Sequence, residues 1–190
     1  MDTSFFREQK FEDRDFSAHL FPRGDYEQCS FTNCVFTNAD LSGISFTDCL
    51  FEGCNLSLAK LTKATLNNVQ FSGCKLLGLH FGECSKFLLS VAFGNCILNL
   101  SSFYKVNLKK TRFSNTSLQE VDFTEADLTA AVFDQCDLTN AIFDRTILEK
   151  ADLRTAENYN IDPAGNKLKK AKFSVAGIAG LLRRYDIVIE

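Results

Sequence analysis

From Phe11 onward, every fifth residue of the chain is large and apolar. The series runs Phe11, Phe16, Phe21, Tyr26, Phe31, Phe36, Leu41, Phe46, Phe51, Leu56, Leu61, Leu66, Phe71, Leu76, Phe81, fifteen positions without a miss. The register slips by two residues between Cys84 and Ser90, then resumes at Phe93 and continues through Leu98, Phe103, Leu108, Phe113, Leu118, Phe123, Leu128, Phe133, Leu138, Phe143 and Leu148 to Leu153. Two residues before a centre the residue is usually small, most often Cys or Ala, as at Cys29, Cys34, Ala39, Cys54, Ala126 and Ala151. The other three positions are mostly polar. From Tyr26 to Phe81 and from Val91 to Leu153 no charged residue occupies a centre or the small slot.

A period of five is neither the strand period of two nor the helix period of 3.6. Two positions facing inward and three facing water, repeated, require a corner every five residues. A coil of short straight sides with tight turns meets that demand, successive coils stacking like parallel strands about 4.8 Å apart. Four sides give a coil of about twenty residues. In the second half this places Phe93, Phe113, Phe133 in one column and Phe103, Phe123, Phe143 in another, although the Phe/Leu alternation alone fixes only a period of ten. Phe31, Phe51 and Phe71 upstream join Phe93, Phe113 and Phe133 as the six centres of the expected core.

Units such as Ala39-Asp40-Leu41-Ser42-Gly43, Ala126-Asp127-Leu128-Thr129-Ala130 and Ala151-Asp152-Leu153-Arg154-Thr155 resemble the A(D/N)LXX signature of pentapeptide-repeat proteins. The resemblance implies an all-β fold, a right-handed quadrilateral β-helix, here with a short C-terminal helix. The expected division is an N-terminal cap or irregular first coil over residues 1–25, where Gln9, Arg14, His19 and Gly24 fill the small slot; a solenoid over 26–157 with a bulge near 84–90; and a C-terminal segment over 158–190. In that last segment Ser174 is a good helix N-cap. Val175, Ile178, Ala179 and Leu182 follow at helical spacing, Gly177 and Gly180 allow another backbone close by, and Ile187-Val188-Ile189 reads as a short strand. The segment either caps the last coil or joins two chains, and the two roles are compatible. Its residues from Asp162-Pro163 to Ile187 resemble the C-terminal segment of the Qnr-like quinolone-resistance proteins, which implies a head-to-head homodimer through Val175, Ile178, Leu181, Leu182, Ile187 and Ile189.

The eight cysteines invite a disulfide or zinc reading. Each of them, Cys84 included, continues the small slot, so they read as small buried hydrophobes. The two histidines, His19 and His80, have no Ser, Cys or Asp set around them, and no glycine-rich phosphate loop is present. Gly43, Gly53, Gly73 and Gly78 fall in polar slots, as turn residues do. The expectation is a protein that is not an enzyme and needs no cofactor or metal. No apolar stretch is long enough to span a bilayer and the N-terminus has no signal-peptide pattern, so a cytoplasmic protein without a membrane role is expected.

Net charge is -3, which argues against direct nucleic-acid binding. The charges are segregated along the chain: net -6 over 1–54, +7 over 55–112, -7 over 113–153 and +3 over 154–190. The third segment carries Glu120, Asp122, Glu125, Asp127, Asp134, Asp137, Asp144, Glu149 and Asp152, all in outward slots. Spread over four sides they form a collar of about one net negative charge per ~1.4 Å of axis, against one per ~1.7 Å in duplex DNA. The Qnr-like resemblance implies a matching role, mimicry of DNA toward a type II topoisomerase such as DNA gyrase. Two departures stand against it: the lysine-rich band over 55–112 and the absence of projecting loops in the first fifteen repeats. The other reading is a scaffold for some different protein partner.

Overall fold

The computed structural model describes residues 4–18 and 21–188. Eleven short strands follow the repeat: β1 (Ser4–Arg7), β2 (Lys10–Glu12), β3 (Gly24–Glu27), β4 (Ser30–Thr32), β5 (Ser45–Thr47), β6 (Leu50–Glu52), β7 (Thr65–Asn67), β8 (Val69–Ser72), β9 (Val91–Gly94), β10 (Arg112–Ser114) and β11 (Val132–Asp134). All pairs are parallel. One sheet is ordered β1-β3-β5-β7 and the other β11-β10-β9-β8-β6-β4-β2. The register settles the coil length that the sequence left open. Phe31 lies beside Phe51 and Phe113 beside Phe133, twenty residues apart. The remaining two sides are joined by single bridges at the same spacing, such as Val35↔Asn55 and Ser102↔Asp122. The chain is therefore a four-sided parallel β-solenoid, the right-handed quadrilateral β-helix expected from the repeat.

Its interior stacks aromatic rings on all four sides of the first coils and, farther along, in two columns with aliphatic residues between. On the second side Phe31, Phe51, Phe71, Phe93, Phe113 and Phe133 are all at least 96% buried, with consecutive ring centroids 4.6, 5.2, 5.4, 5.3 and 5.0 Å apart. On the fourth side Phe81, Phe103, Phe123 and Phe143 stack at 4.4, 5.4 and 5.2 Å. Offset-stacked rings at these distances gain more than their buried area alone supplies.

Most five-residue units turn at a residue in the left-handed backbone region two after the centre, between Glu8 and Lys170. Gly43, Gly53, Gly73 and Gly78 are four such corners, with φ between 62 and 70°. Corners come in two chemistries. Where the next slot is Ala, its N–H closes a turn onto the preceding centre, as Ala126 N–H to Phe123 O (3.0 Å). Where a strand precedes the corner that turn bond is missing, and the slot is most often Cys, with Val69 and Thr116 among the others. The Sγ–H of Cys34, Cys54 and Cys74 then donates to the centre carbonyl one coil earlier, on Phe11, Phe31 and Phe51, at 3.2–3.4 Å. Thus the thiols are both small enough for the slot and able to give a buried ladder carbonyl a second, weak donor. All eight cysteines are free and buried. Burial pushes the thiols of Cys49 and Cys84 up to about 12.

Pairing extends beyond residues 26–157 on both sides. β1 pairs with β3, and Asp152 bridges Lys172. Two extra residues enter the first side between Ser85 and Ser90, so that Phe71 pairs with Phe93 at a spacing of twenty-two. This is the expected bulge, and it leaves Phe87 and Leu88 exposed.

The expected short C-terminal helix is present in 3-10 form, over Ala176–Leu181 and Arg183–Tyr185. The backbone closes i to i+3, as in Leu182 N–H to Ala179 O (3.1 Å). Gly177 and Gly180 disfavour a regular helix, and the segment is pressed onto Tyr159: a Cβ at Gly180 would lie 2.4 Å from the Tyr159 carbonyl oxygen. Ser174 caps the first turn, its Oγ accepting from Gly177 N–H at 3.0 Å. Ile187 and Val188 form no strand, because Asp186 turns the chain with φ at 49° and no rung of the solenoid lies alongside to pair with them.

Candidate protein-binding surface

The first side carries β1, β3, β5 and β7, the second carries the longer sheet, and the third and fourth carry the bridged columns through Ser117↔Asp137 and Ser102↔Asp122. Every acid of the collar projects outward, but the cations of neighbouring coils divide them into two groups. Glu125 sits between Lys105 (3.5 Å) and Arg145 (3.3 Å). Asp127 pairs with Lys109 at 3.2 Å, Asp134 with Arg112 at 3.3 Å and Asp144 with Arg145 at 3.0 Å. Asp152 pairs with Arg154 at 2.7 Å. These contacts are solvent-exposed and each adds at most about 1 kcal/mol of stability. Their larger effect is to cancel the local field of four of the seven expected binding acids.

Glu120, Asp122 and Asp137 make no ion pair among the described residues. All three lie on the third and fourth sides or the corner between them. Asp122 accepts from Thr124 N–H at 2.8 Å. Asp137 is held by Gln119 Nε2 at 2.6 Å, Asn158 Nδ2 at 2.8 Å and Thr139 Oγ1 at 2.6 Å. Partial burial pushes the Asp137 carboxyl up, but the bonds from Asn158, Thr139 and Gln119 outweigh it and hold it at about 2. A carboxyl depressed below its ordinary 3.8 adds stability that is present above that value and lost as pH falls toward about 2. Asp137→Asn is therefore expected to destabilise the protein more at about pH 5 than at about pH 2.5. Thermal melts of both proteins check this, and an unchanged difference in Tm between the two pH values would contradict it.

The opposite side of the rod is basic. Over its last coils the first side presents Lys109, Lys110, Lys150, Lys167, Lys169 and Lys170, with only Asp127 and Glu149 against them. Counting charge along the sequence misses this asymmetry. It becomes visible once the twenty-residue register assigns each residue to a side.

Among the residues expected to join two chains, Val175 is 91% exposed, Ile178 50% and Ile187 55%. Leu181 and Leu182 are half-buried, and Leu181 packs against the last coil. Ile189 and His19 lie outside the described residues. His80 is exposed in an outward slot, as its position predicted. Among the described residues no group of three or more His, Cys, Asp or Glu side chains is arranged to hold a metal, and no helix is long and apolar enough to cross a membrane.

The model of the pentapeptide repeat region matches residues 25–87 and 86–162. The chain belongs to the pentapeptide-repeat family. Its fold is similar to two trypsin-treated variants of QnrB1, described as a plasmid-mediated fluoroquinolone resistance protein. The first is 18% identical, with 98% of this chain and 92% of that one covered and a TM-score of 0.61. The second is 23% identical, with 99% and 98% covered and a TM-score of 0.50. HetL, a pentapeptide-repeat protein involved in heterocyst differentiation regulation from the cyanobacterium Nostoc, is 16% identical over 90% of this chain and 87% of its own, with a TM-score of 0.44. No curated protein matches the sequence. At these identities the likeness to the two QnrB1 variants shows a shared fold.

Proposed function

We propose that this protein is a DNA mimic that binds a type II topoisomerase, DNA gyrase, and shields it from quinolones or from peptide toxins. It acts by binding alone, in the cytoplasm, with no bond made or broken and no cofactor. The observation that carries the reading is the group of unpaired carboxylates, Glu120, Asp122 and Asp137, fixed on a rigid rod at the rung spacing of a β-solenoid. A carboxylate held by hydrogen bonds from Gln119, Thr139 and Asn158 stays ionised and cannot swing away, as a phosphate on a duplex cannot. The likeness in fold to QnrB1 supports the same reading. The exposed Val175, Ile178 and Ile187 support a homodimer joined at the C-terminal ends, which doubles the acidic surface.

The alternative, a scaffold for another protein partner, draws on the ion pairs that cancel the charge of Glu125, Asp127, Asp134 and Asp144. The two readings part on purified gyrase. Mimicry predicts a complex whose affinity falls roughly tenfold or more between about 50 and 200 mM salt, and supercoiling that persists in ciprofloxacin when the protein is added. A scaffold gives neither a complex at low salt nor protection.

A further inference from the structure

The corner between the third and fourth sides is one continuous column of left-handed residues: Asn38, Leu58, Gly78, Leu100, Glu120 and Asn140. They stack through bonds such as Leu58 N–H to Leu77 O (2.9 Å) and Leu100 N–H to Gln119 O (3.0 Å). Most left-handed corners elsewhere are Asn, Gly, Gln, Asp or long charged residues. Leu58 and Leu100 are doubly out of place there. A leucine pays for the left-handed conformation that Asn or Gly accepts readily, and these two remain more than half exposed, at 57% and 60%. The Leu58 side chain lies over Gly78, where a Cβ would approach its Cδ2 to 2.8 Å, so glycine keeps the ridge continuous. One flank of the ridge opens into a shallow groove of about 410 Å3 that includes Lys60 and His80.

Neither local conformation nor packing within the chain accounts for apolar residues at these corners, and such outliers mark functional surfaces. The ridge runs directly into Glu120, beside Asp122 and Asp137, the acids without ion pairs. We infer that the protein engages its partner along this single edge, the apolar ridge of Leu58 and Leu100 docking beside the acidic patch, and not around an encircling collar. The matching surface is one with basic side chains next to an exposed apolar patch, and charge complementarity favours such a protein surface. The inference rests on the topoisomerase reading and deepens it: the contact has an apolar, salt-insensitive part that a pure DNA mimic lacks.

The test uses full-length protein and purified DNA gyrase, with affinity measured at low and moderate salt. Leu58→Asn with Leu100→Asn removes the ridge while placing at both corners a residue that tolerates the left-handed backbone, so its Tm is expected to hold or rise. Affinity is expected to fall about thirtyfold, with the slope against salt unchanged. Leu58→Ala with Leu100→Ala reads the same loss without introducing a polar group. The control, Lys110→Asn with Ala130→Asn, changes two left-handed corners on the opposite side and is expected to bind within about twofold of wild type. If wild type binds gyrase and both leucine variants bind equally well, the edge is wrong while the topoisomerase reading stands. If wild type does not bind gyrase at all, both readings fall together.

Discussion

Replacing Phe113 with alanine is expected to cost about 3–5 kcal/mol. Its ring is fully buried, stacked between Phe93 at 5.3 Å and Phe133 at 5.0 Å, with Phe103 and Phe123 edge-on at 6.1 and 6.2 Å. The deletion opens a cavity in a column whose rungs are fixed by backbone hydrogen bonds, so the coils above and below cannot close over it without breaking the register. In urea titrations the loss appears as a lower midpoint, and in calorimetry as a Tm lower by roughly 8–15 °C for a chain of this size. Tyr104→Ala, at a side chain 42% exposed, is expected to cost less than about 1 kcal/mol. Because each coil of a solenoid touches only its neighbours, hydrogen exchange should speed most in the coils holding Phe93, Phe113 and Phe133 and least around Phe31. A loss at Phe113 no larger than that at Tyr104 would mean the stacked column does not hold the rod together.

Reversing Glu120, Asp122 and Asp137 to lysine is expected to weaken gyrase binding by about a hundredfold and to abolish protection from ciprofloxacin. These carboxylates have no cation to neutralise them, so each reversal turns an attraction for a basic groove into a repulsion. The matched triple Asp127→Lys, Asp134→Lys and Asp144→Lys alters three acids already paired with Lys109, Arg112 and Arg145. It changes the net charge by the same amount, and its expected loss is only about tenfold. Equal losses from the two triples would show that total charge governs binding and that the distinction between paired and unpaired acids has no functional weight. No loss from either would remove the acidic surface from the mechanism. Circular dichroism on both variants separates a binding defect from a folding one, since the altered residues all face outward.

The sequence by itself determined the solenoid. The five-residue period, the small slot beside each large centre and the exclusion of charge from both follow from one physical demand: a narrow four-sided interior admits one large and one small residue per side. Residues such as Phe31, Cys54 and Leu128 therefore announce their burial by position alone, and Gly43 and Gly78 announce their corners. The C-terminal turns were less legible because a few apolar residues at helical spacing cannot weigh two glycines against close packing on Tyr159, a contact across the end of the rod. Nor could the chain reveal why cysteine and not alanine fills particular slots, since the carbonyl that six of the eight thiols reach belongs to a residue more than twenty positions away, as for Cys54 and Phe31. The same holds for the candidate surface. A collar read along the chain treats Asp127 and Asp137 alike, whereas stacking brings Lys109 onto the first and only amides and hydroxyls onto the second. Which acids remain unpaired, and that Leu58 and Leu100 share one edge with them, depends on which residues the coils place side by side, and only the tertiary register decides that.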